Sequence, residues 1–216
     1  ATEEAKKRTE EIMESRHKLL LSVSHDIKSP LSSIIGYLEL MQIDTKNQDD
    51  INKINSMKNS SELILSLLTN LLNFSRLDQG KESIILSEFN IAKLCDELCD
   101  MFTPLAKEKH LSLIYENNIK ENTFVKSDAL KIKQIISNLL SNAIKYSKEG
   151  KIIFNISNNE NKIIFNITDE GIGIPQDKID EIFKPFSRVD NNESLIEGNG
   201  FGLFVVKGLI DLLNGS

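Results

Sequence analysis

No apolar run in this chain approaches the roughly 18 residues needed to span a bilayer. The charged opening ATEEAKKRTEEIMESRHK is neither a signal peptide nor an anchor. The segment is therefore expected to be soluble and to work in the cytoplasm. Basic charge is not in excess: 26 Lys plus Arg stand against 32 Asp plus Glu, a formal net charge of -6. A chain with that balance has no general attraction to phosphate backbones, which argues against nucleic acid as a partner. Cysteine is scarce, the two present being Cys95 and Cys99. Their i,i+4 spacing puts both on one helix face and favours reduced core residues over a disulfide or metal site. Internal repeats and low-complexity tracts are absent. What remains is 216 residues, 40% hydrophobic and 27% charged, enough to bury a sizeable core in one or two domains and to exclude general disorder.

The pattern changes once, near Ser75 to Asn90. Before it, Leu20, Val23, Ile27, Leu31, Ile34, Leu38 and Met41 recur at threes and fours, the seam of an amphipathic helix. Polar residues Asp44 to Asp50 interrupt it. A second seam follows through Ile54, Met57, Ser61, Leu65, Leu68, Leu72 and Ser75, so residues 1–78 read as an antiparallel helical hairpin. Two helices cannot cover their own apolar faces, and a second copy would complete a dimeric four-helix bundle. Residues 79–216 read as a two-layer α/β sandwich. Ile152, Phe154 and Ile156, then Ile163, Phe165 and Ile167, alternate with outward positions in a β-hairpin turning at Asn158 to Asn161. Helical patterns run over Ile91–Ala106, Asp128–Tyr146 and Gly200–Leu213, with shorter strands near Ser83–Ser87, Leu111–Glu116 and Thr123–Lys126.

Four constellations carry chemistry. The first is SHDIKSPL, Ser24 to Leu31, within the first helix. At 100° per residue, His25 sits about 155° from the seam centre and faces solvent. Asp26 follows it, Ser29 lies one turn on, and Pro30 removes a backbone donor and is expected to bend the helix there. A carboxylate that hydrogen-bonds one imidazole nitrogen leaves the other as a nucleophile; an ordinary solvated polar face is the plain alternative. The second is NLLSNAIKY, Asn138 to Tyr146. Ile132, Ile135, Ile136, Leu139 and Ala143 form its buried stripe, with Asn138, Asn142 and Lys145 along one flank. Amide oxygens suit Mg²⁺ and an ammonium suits phosphate, although such residues also merely bond neighbouring backbone.

The third is DEGIGIP, Asp169 to Pro175. Asp169 continues the parity of the inward residues of its strand, so its carboxylate is expected to point toward the helices. Buried there it requires a donor, such as an adenine amino group, while Gly171 and Gly173 let backbone approach a flat base. A strand that simply ends in a glycine turn looks similar. The fourth is GNGFGL, Gly198 to Leu203, opening the last helix after a polar stretch. Glycine-rich backbone at a helix N-terminus offers amides to phosphates, but no strand precedes it as a dinucleotide fold would need.

In order and content these motifs resemble the sensor histidine kinases of two-component signalling, whose ATP-binding fold is shared with gyrase B and Hsp90. The resemblance runs from about Lys18 to Asn214. SHDIKSPL looks like the H box, NLLSNAIKY the N box, DEGIGIP the G1 box, FKPFSRVD the F box and GNGFGL the G2 box. It implies His25 as phosphoacceptor, Asp26 as its acid/base partner, Asn142 as the main Mg²⁺ ligand and Asn138 as its assistant. Asp169 would read adenine, Tyr146 would pack on the base, and Lys145 and Arg188 would meet phosphate. Phe186, Gly171, Gly173 and Leu203 would complete the ATP site. Ser187 to Glu197 would form a mobile lid hinged by Gly198, Gly200 and Gly202. A homodimer, a response-regulator receiver domain as partner, and attachment to any membrane only through a sensor region upstream of Ala1 are also implied.

Departures from the family pattern matter. Ser29 stands where many members carry Thr or Asn, and because a hydroxyl is kept the phosphatase activity assigned to that position is expected to be weakened more than lost. Phe201 and Asn199 replace commoner residues of the G2 box without removing a glycine. The family continues beyond this point into strands that complete the sheet, so the sequence is expected to be part of a longer chain. In ATPases of the same fold a glutamate matching Asn138 activates water, whereas an amide takes no proton at neutral pH. Hydrolysis is thereby disfavoured, and the γ-phosphoryl waits for His25. A protein-serine kinase of this fold and a non-catalytic dimerising scaffold are the alternatives; the H box argues against the first and the intact ATP motifs against the second.

Overall fold

The computed structural model describes residues 2–78, 83–160, 162–184, 187 and 200–216, apart from some side chains of the first two helices. The chain divides into two compact units, Ala1–Glu82 and Ser83–Ser216.

The first unit is a pair of helices, α1 (Thr2–Asp44) and α2 (Gln48–Asp78). α1 continues through Pro30 as one helix. The polar interruption is three residues long, Thr45 to Asn47. Asn47 starts α2 by accepting the Asp49 N–H on its Oδ1 (3.0 Å), and Asp49 and Asp50 in the first turn suit the positive end of the helix. Across the pair, Gln42 Nε2 donates to Asn55 Oδ1 at 3.0 Å, and Lys58 Nζ meets Glu39 Oε1 at 2.8 Å. These contacts lie one turn apart and share one antiparallel offset, fixing the register.

The seam splits in an informative way. Ser24, Leu31 and Leu38, seven residues apart, are buried, as are Ile54, Ser61 and Ser75 on α2. This is a heptad contact line. Val23, Ile27, Ile34 and Met41 on α1, and Met57 on α2, stay 38–53% exposed. The uncovered residues lie mostly on α1: on α2 Leu65, Leu68 and Leu72 are half-buried and Met57 alone of the described stripe is exposed.

In the second unit, Asn90 ends strand β1 (Ser87–Asn90) and caps α3 (Ile91–Glu108), its side chain accepting the Lys93 N–H. Strand β2 (Ser112–Asn118), strand β3 (Phe124–Ser127) and helix α4 (Ala129–Tyr146) follow. Then come β4 (Lys151–Asn159), β5 (Lys162–Asp169) and α5 (Gly202–Leu212). β2 pairs parallel with β4, and β4 antiparallel with β5, in a mixed sheet of order β2-β4-β5, while β1 and β3 form a separate antiparallel pair. Helices pack on one side. Ile152, Phe154 and Ile156 of β4 are wholly buried with Ile91, Cys95, Leu98, Ile136 and Leu140. Ile163, Phe165 and Ile167 are half-buried against this core because β5 pairs on one side only among the described residues.

Three expectations need correction. The early strand lies at Ser87–Asn90, not Ser83–Ser87: Ile84, Ile85 and Leu86 are exposed, and the Ile85 N–H donates to Asp128 Oδ2 (2.9 Å) instead of to a ladder. The inner face of α4 is Ile136, Leu140, Ala143 and Ile144, whereas Ile132, Ile135 and Leu139 are half-buried. α4 packs against α3, β5 and α5 at once, so its apolar residues serve more than one face. Finally, the β4–β5 ladder runs on to Asn159↔Lys162 instead of turning from Asn158, with Glu160 at φ +53° in the turn.

Candidate functional site

α4 begins with a carboxylate cap: buried Asp128 accepts the Lys131 N–H on Oδ1 (3.1 Å) and the Ile85 N–H on Oδ2. Burial alone would raise its pKa. The bonds from Ile85 and Lys131 and the Lys131 charge outweigh it and hold the carboxyl below the usual carboxylate range. Further along, Asn138 Nδ2 donates to Gln134 O (3.0 Å), which fixes the amide and turns Oδ1 away from its own helix. Asn142 lies one turn on. Both face Gly202, the first residue of α5: a Cβ there would lie 3.6 Å from Asn138 Oδ1 and 3.7 Å from Asn142 Nδ2. The approach to α5 runs through Gly200 at φ +66° and the buried Phe201, which stands at the N-cap position and has no side-chain cap bond. The first turn of α5 therefore starts beside two helix-borne amides, with Leu203 half-buried in it. Neutral amide oxygens are hard donors that suit Mg²⁺ sharing its sphere with phosphate and water.

At the other end of α4, Lys145 Nζ sits 4.8 Å from the centroid of the Tyr146 ring. The backbone of Tyr146 meets the glycine loop: its carbonyl accepts the Ile172 N–H at 3.3 Å, and a Cβ on Gly171 would come within 2.7 Å of that oxygen. Gly171 N–H donates to Asp169 Oδ1 at 2.9 Å. Gly173 adopts φ +69° in open surroundings. Asp169 itself is exposed, which overturns the expectation of a carboxylate buried under the helices. It is the last residue of β5 and exposed like its neighbours Thr168 and Glu170, so strand parity stops predicting burial where the strand ends. The loop therefore presents the carboxylate instead of packing it.

His25 lies in α1 next to the buried Ser24; its side chain is outside the described residues. Asp26, Ser29 and Pro30 are exposed. Phe186, Arg188, Gly198 and the stretch from Arg188 to Asn199 lie outside the described residues as well. Among the described residues no three His, Cys, Asp or Glu side chains are grouped to hold a metal, and no helix is long and apolar enough to cross a membrane. Cys95 and Cys99 are free and buried; burial pushes both thiols up to about 12. One residue escaped the sequence reading: Lys109, whose Nζ lies 3.3 Å from Ile144 O and 3.4 Å from Lys145 O at the end of α4. No spacing rule connects position 109 to position 144.

Comparison with known proteins agrees with this geometry. Residues 127–216 match the family described as histidine kinase-, DNA gyrase B- and HSP90-like ATPase, so the second unit is an ATP-binding domain of that type. Residues 15–80 match the His kinase A (phospho-acceptor) domain. The autoinducer 2 sensor kinase/phosphatase LuxQ of Vibrio parahaemolyticus is 30% identical over 218 residues, covering 98% of this chain and 25% of LuxQ. The full-length structure of ShkA in complex with AMPPNP superposes with a TM-score of 0.74 at 22% identity, over 92% of this chain and 42% of ShkA. Histidine kinase ThkA in complex with response regulator protein TrrA gives 0.62 at 25% identity, over 100% of this chain and 61% of that one. The chain belongs to the sensor histidine kinases of two-component systems. It spans about a quarter of the length of the curated relatives it matches.

Proposed function

We propose that this chain transfers the γ-phosphoryl of ATP to His25 and then to an aspartate of a response regulator, with residues 1–78 as dimerisation and phosphoacceptor domain and residues 79–216 as catalytic domain. The observation that carries the reading is an amide, not a carboxylate, at position 138, with its oxygen turned toward the start of α5. An amide at position 138 takes no proton from water at neutral pH, so that position supplies no general base to a nucleotide held there. Asn142, assisted by Asn138, would hold Mg²⁺, which when bound offsets phosphate charge. Asp169 and Tyr146 would take the adenine, with Gly171, Gly173 and Phe186 beside them. Lys145, Arg188 and the turn Gly198–Leu203 would take the phosphates. In the transfer, a His25 ring nitrogen forms the P–N bond, the O–P bond to ADP breaks, and Asp26 receives the imidazole proton.

The uncovered half-seam of Val23, Ile27, Ile34, Met41 and Met57 is the face on which a second copy would close a four-helix bundle. A groove of about 500 Å³ lined by Met41, Ile54 and Met57 continues that face toward the hairpin turn. The receiver partner is supported by the ThkA–TrrA complex, and a phosphatase activity by the description of LuxQ as a sensor kinase/phosphatase; the hydroxyl of Ser29 would weaken that activity more than abolish it. Work in the cytoplasm suits such a kinase core.

The test is incubation with Mg²⁺ and γ-labelled ATP. The wild type gains acid-labile, alkali-stable label. His25→Gln binds ATP equally well and gains none, and Asp26→Asn slows labelling by about 10²–10⁴. Label persisting on His25→Gln would move the acceptor to His17 or His110, the other two histidines, and overturn the reading.

A further inference from the structure

We propose that Lys109 is a positioning residue for the adenine end of the ATP site; the inference rests on the reading that the second unit binds ATP at Tyr146 and Asp169. The placement begins with how α3 stops. Leu111 N–H donates to Ala106 O (2.9 Å) and His110 N–H to Lys107 O (2.9 Å), with His110 at φ +58° and Leu111 buried beside Ala106. That is a Schellman closure. It fixes the backbone of Lys109, the residue between helix and left-handed turn, and directs its exposed side chain across to the end of α4.

A helix leaves its last four carbonyls without intrahelical donors. On α4 each is taken from a different direction. Ala143 O accepts the Ser147 N–H (3.2 Å), Ile144 O and Lys145 O share Lys109 Nζ (3.3 and 3.4 Å), and Tyr146 O accepts the Ile172 N–H (3.3 Å). One ammonium thus holds the middle two of the four, at the negative end of the helix dipole. The fourth carbonyl carries the loop whose Gly171 N–H holds Asp169 Oδ1. If the last turn of α4 frays, the ring of Tyr146 and the carboxylate of Asp169 lose their common anchor, although neither touches Lys109.

Lys109→Met removes the donors and keeps the stem; Lys109→Arg keeps donors and charge. Titration with ATP, ADP and adenosine, in competition with a fluorescent ATP analogue, is run on the full chain beside labelling at saturating ATP. Lys109→Met is expected to weaken all three ligands by the same factor, about 3- to 10-fold. Its labelling rate at saturation should stay within twofold, and Lys109→Arg should recover most of the affinity. A loss that grows with the number of phosphates would make Lys109 a phosphate contact, and an unchanged affinity would make it an ordinary surface lysine; either overturns the inference. Should Lys109→Met lose the fold in a thermal melt, Lys109→Gln carries the same comparison. Asp169→Asn is run alongside. If it too leaves affinity unchanged, the adenine assignment fails; if it alone weakens binding, only the role of Lys109 fails.

Discussion

Replacing Gly171 by alanine tests the joint between α4 and the glycine loop. The new Cβ would stand 2.7 Å from Asp169 Oδ1, 2.7 Å from Tyr146 O and 3.1 Å from Tyr146 C. Comfortable carbon–oxygen contacts start at about 3.3 Å, so each oxygen must retreat by about 0.6 Å. One belongs to the carboxylate that Gly171 N–H holds at 2.9 Å, the other to the carbonyl that Ile172 N–H reaches at 3.3 Å. The second bond is already near its limit and does not survive such a shift. Overpacking costs about 1–3 kcal/mol, and for a unit of this size each kcal/mol lowers Tm by roughly 3 °C. The displaced groups are those assigned to adenine, so ATP affinity should fall by about 10- to 100-fold, since 1.4 kcal/mol is tenfold. Calorimetric titration at a temperature far below Tm reads this without interference from unfolding. Gly202→Ala is the contrast, because its Cβ meets only ordinary contacts of 3.6–3.9 Å. It should leave Tm unchanged or higher while crowding the phosphate end. ATP affinity within twofold of wild type for Gly171→Ala would refute the adenine loop as drawn.

Asp128→Asn keeps an oxygen for Lys131 N–H but turns an amino group toward Ile85 N–H, and should cost about 1–3 kcal/mol at neutral pH in a denaturant melt. Because the folded carboxyl titrates below its unfolded value, the stability it contributes is present above the unfolded pKa and lost as pH falls through the folded one. The gap between wild type and variant should therefore narrow on acidification below about pH 4. His110→Gly relieves a left-handed residue at φ +58° and should raise stability by about 0.5–1 kcal/mol, read by the same melt; a loss of stability would contradict the Schellman assignment. Cys95 and Cys99, with thiols pushed up to about 12, should resist a disulfide-exchange reagent at pH 8 until the unit is unfolded. Rapid native-state labelling would show that α3 does not pack as described.

Periodicity made the long elements legible. Leu31 and Leu38, Ile54 and Ser61 fall on the predicted seams, and Ile152, Phe154 and Ile156 point into the core as their alternation requires. What periodicity could not tell is which half of a wide stripe meets which neighbour. Leu38 and Met41 carry the same pattern signal, yet one is buried by α2 and the other is not. Ile84, Ile85 and Leu86 read as a strand because β-branched runs favour extended backbone, but the Ile85 N–H is taken by a side chain 43 residues away. Asp169 followed strand parity faithfully; parity gives a direction and not the extent of the layer above it. The two amides and the glycine that faces them were legible as residue types, while their approach across 60 residues of sequence depended on α5 folding back beside α4.

The sheet has a kinetic consequence. β2 pairs in parallel with β4, Ser112 opposite Lys151, and this ladder cannot form until the chain between them has closed as a loop containing β3 and α4. Parallel pairings of that kind are slow, because closure entropy is lost before the contacts that offset it are made. The hairpin needs only a three-residue turn and neighbouring turns of two helices, contacts local enough to form in micro- to milliseconds. On refolding, the hairpin is therefore expected to form ahead of the ATP-binding unit, with its uncovered apolar seam exposed while the parallel ladder is still assembling.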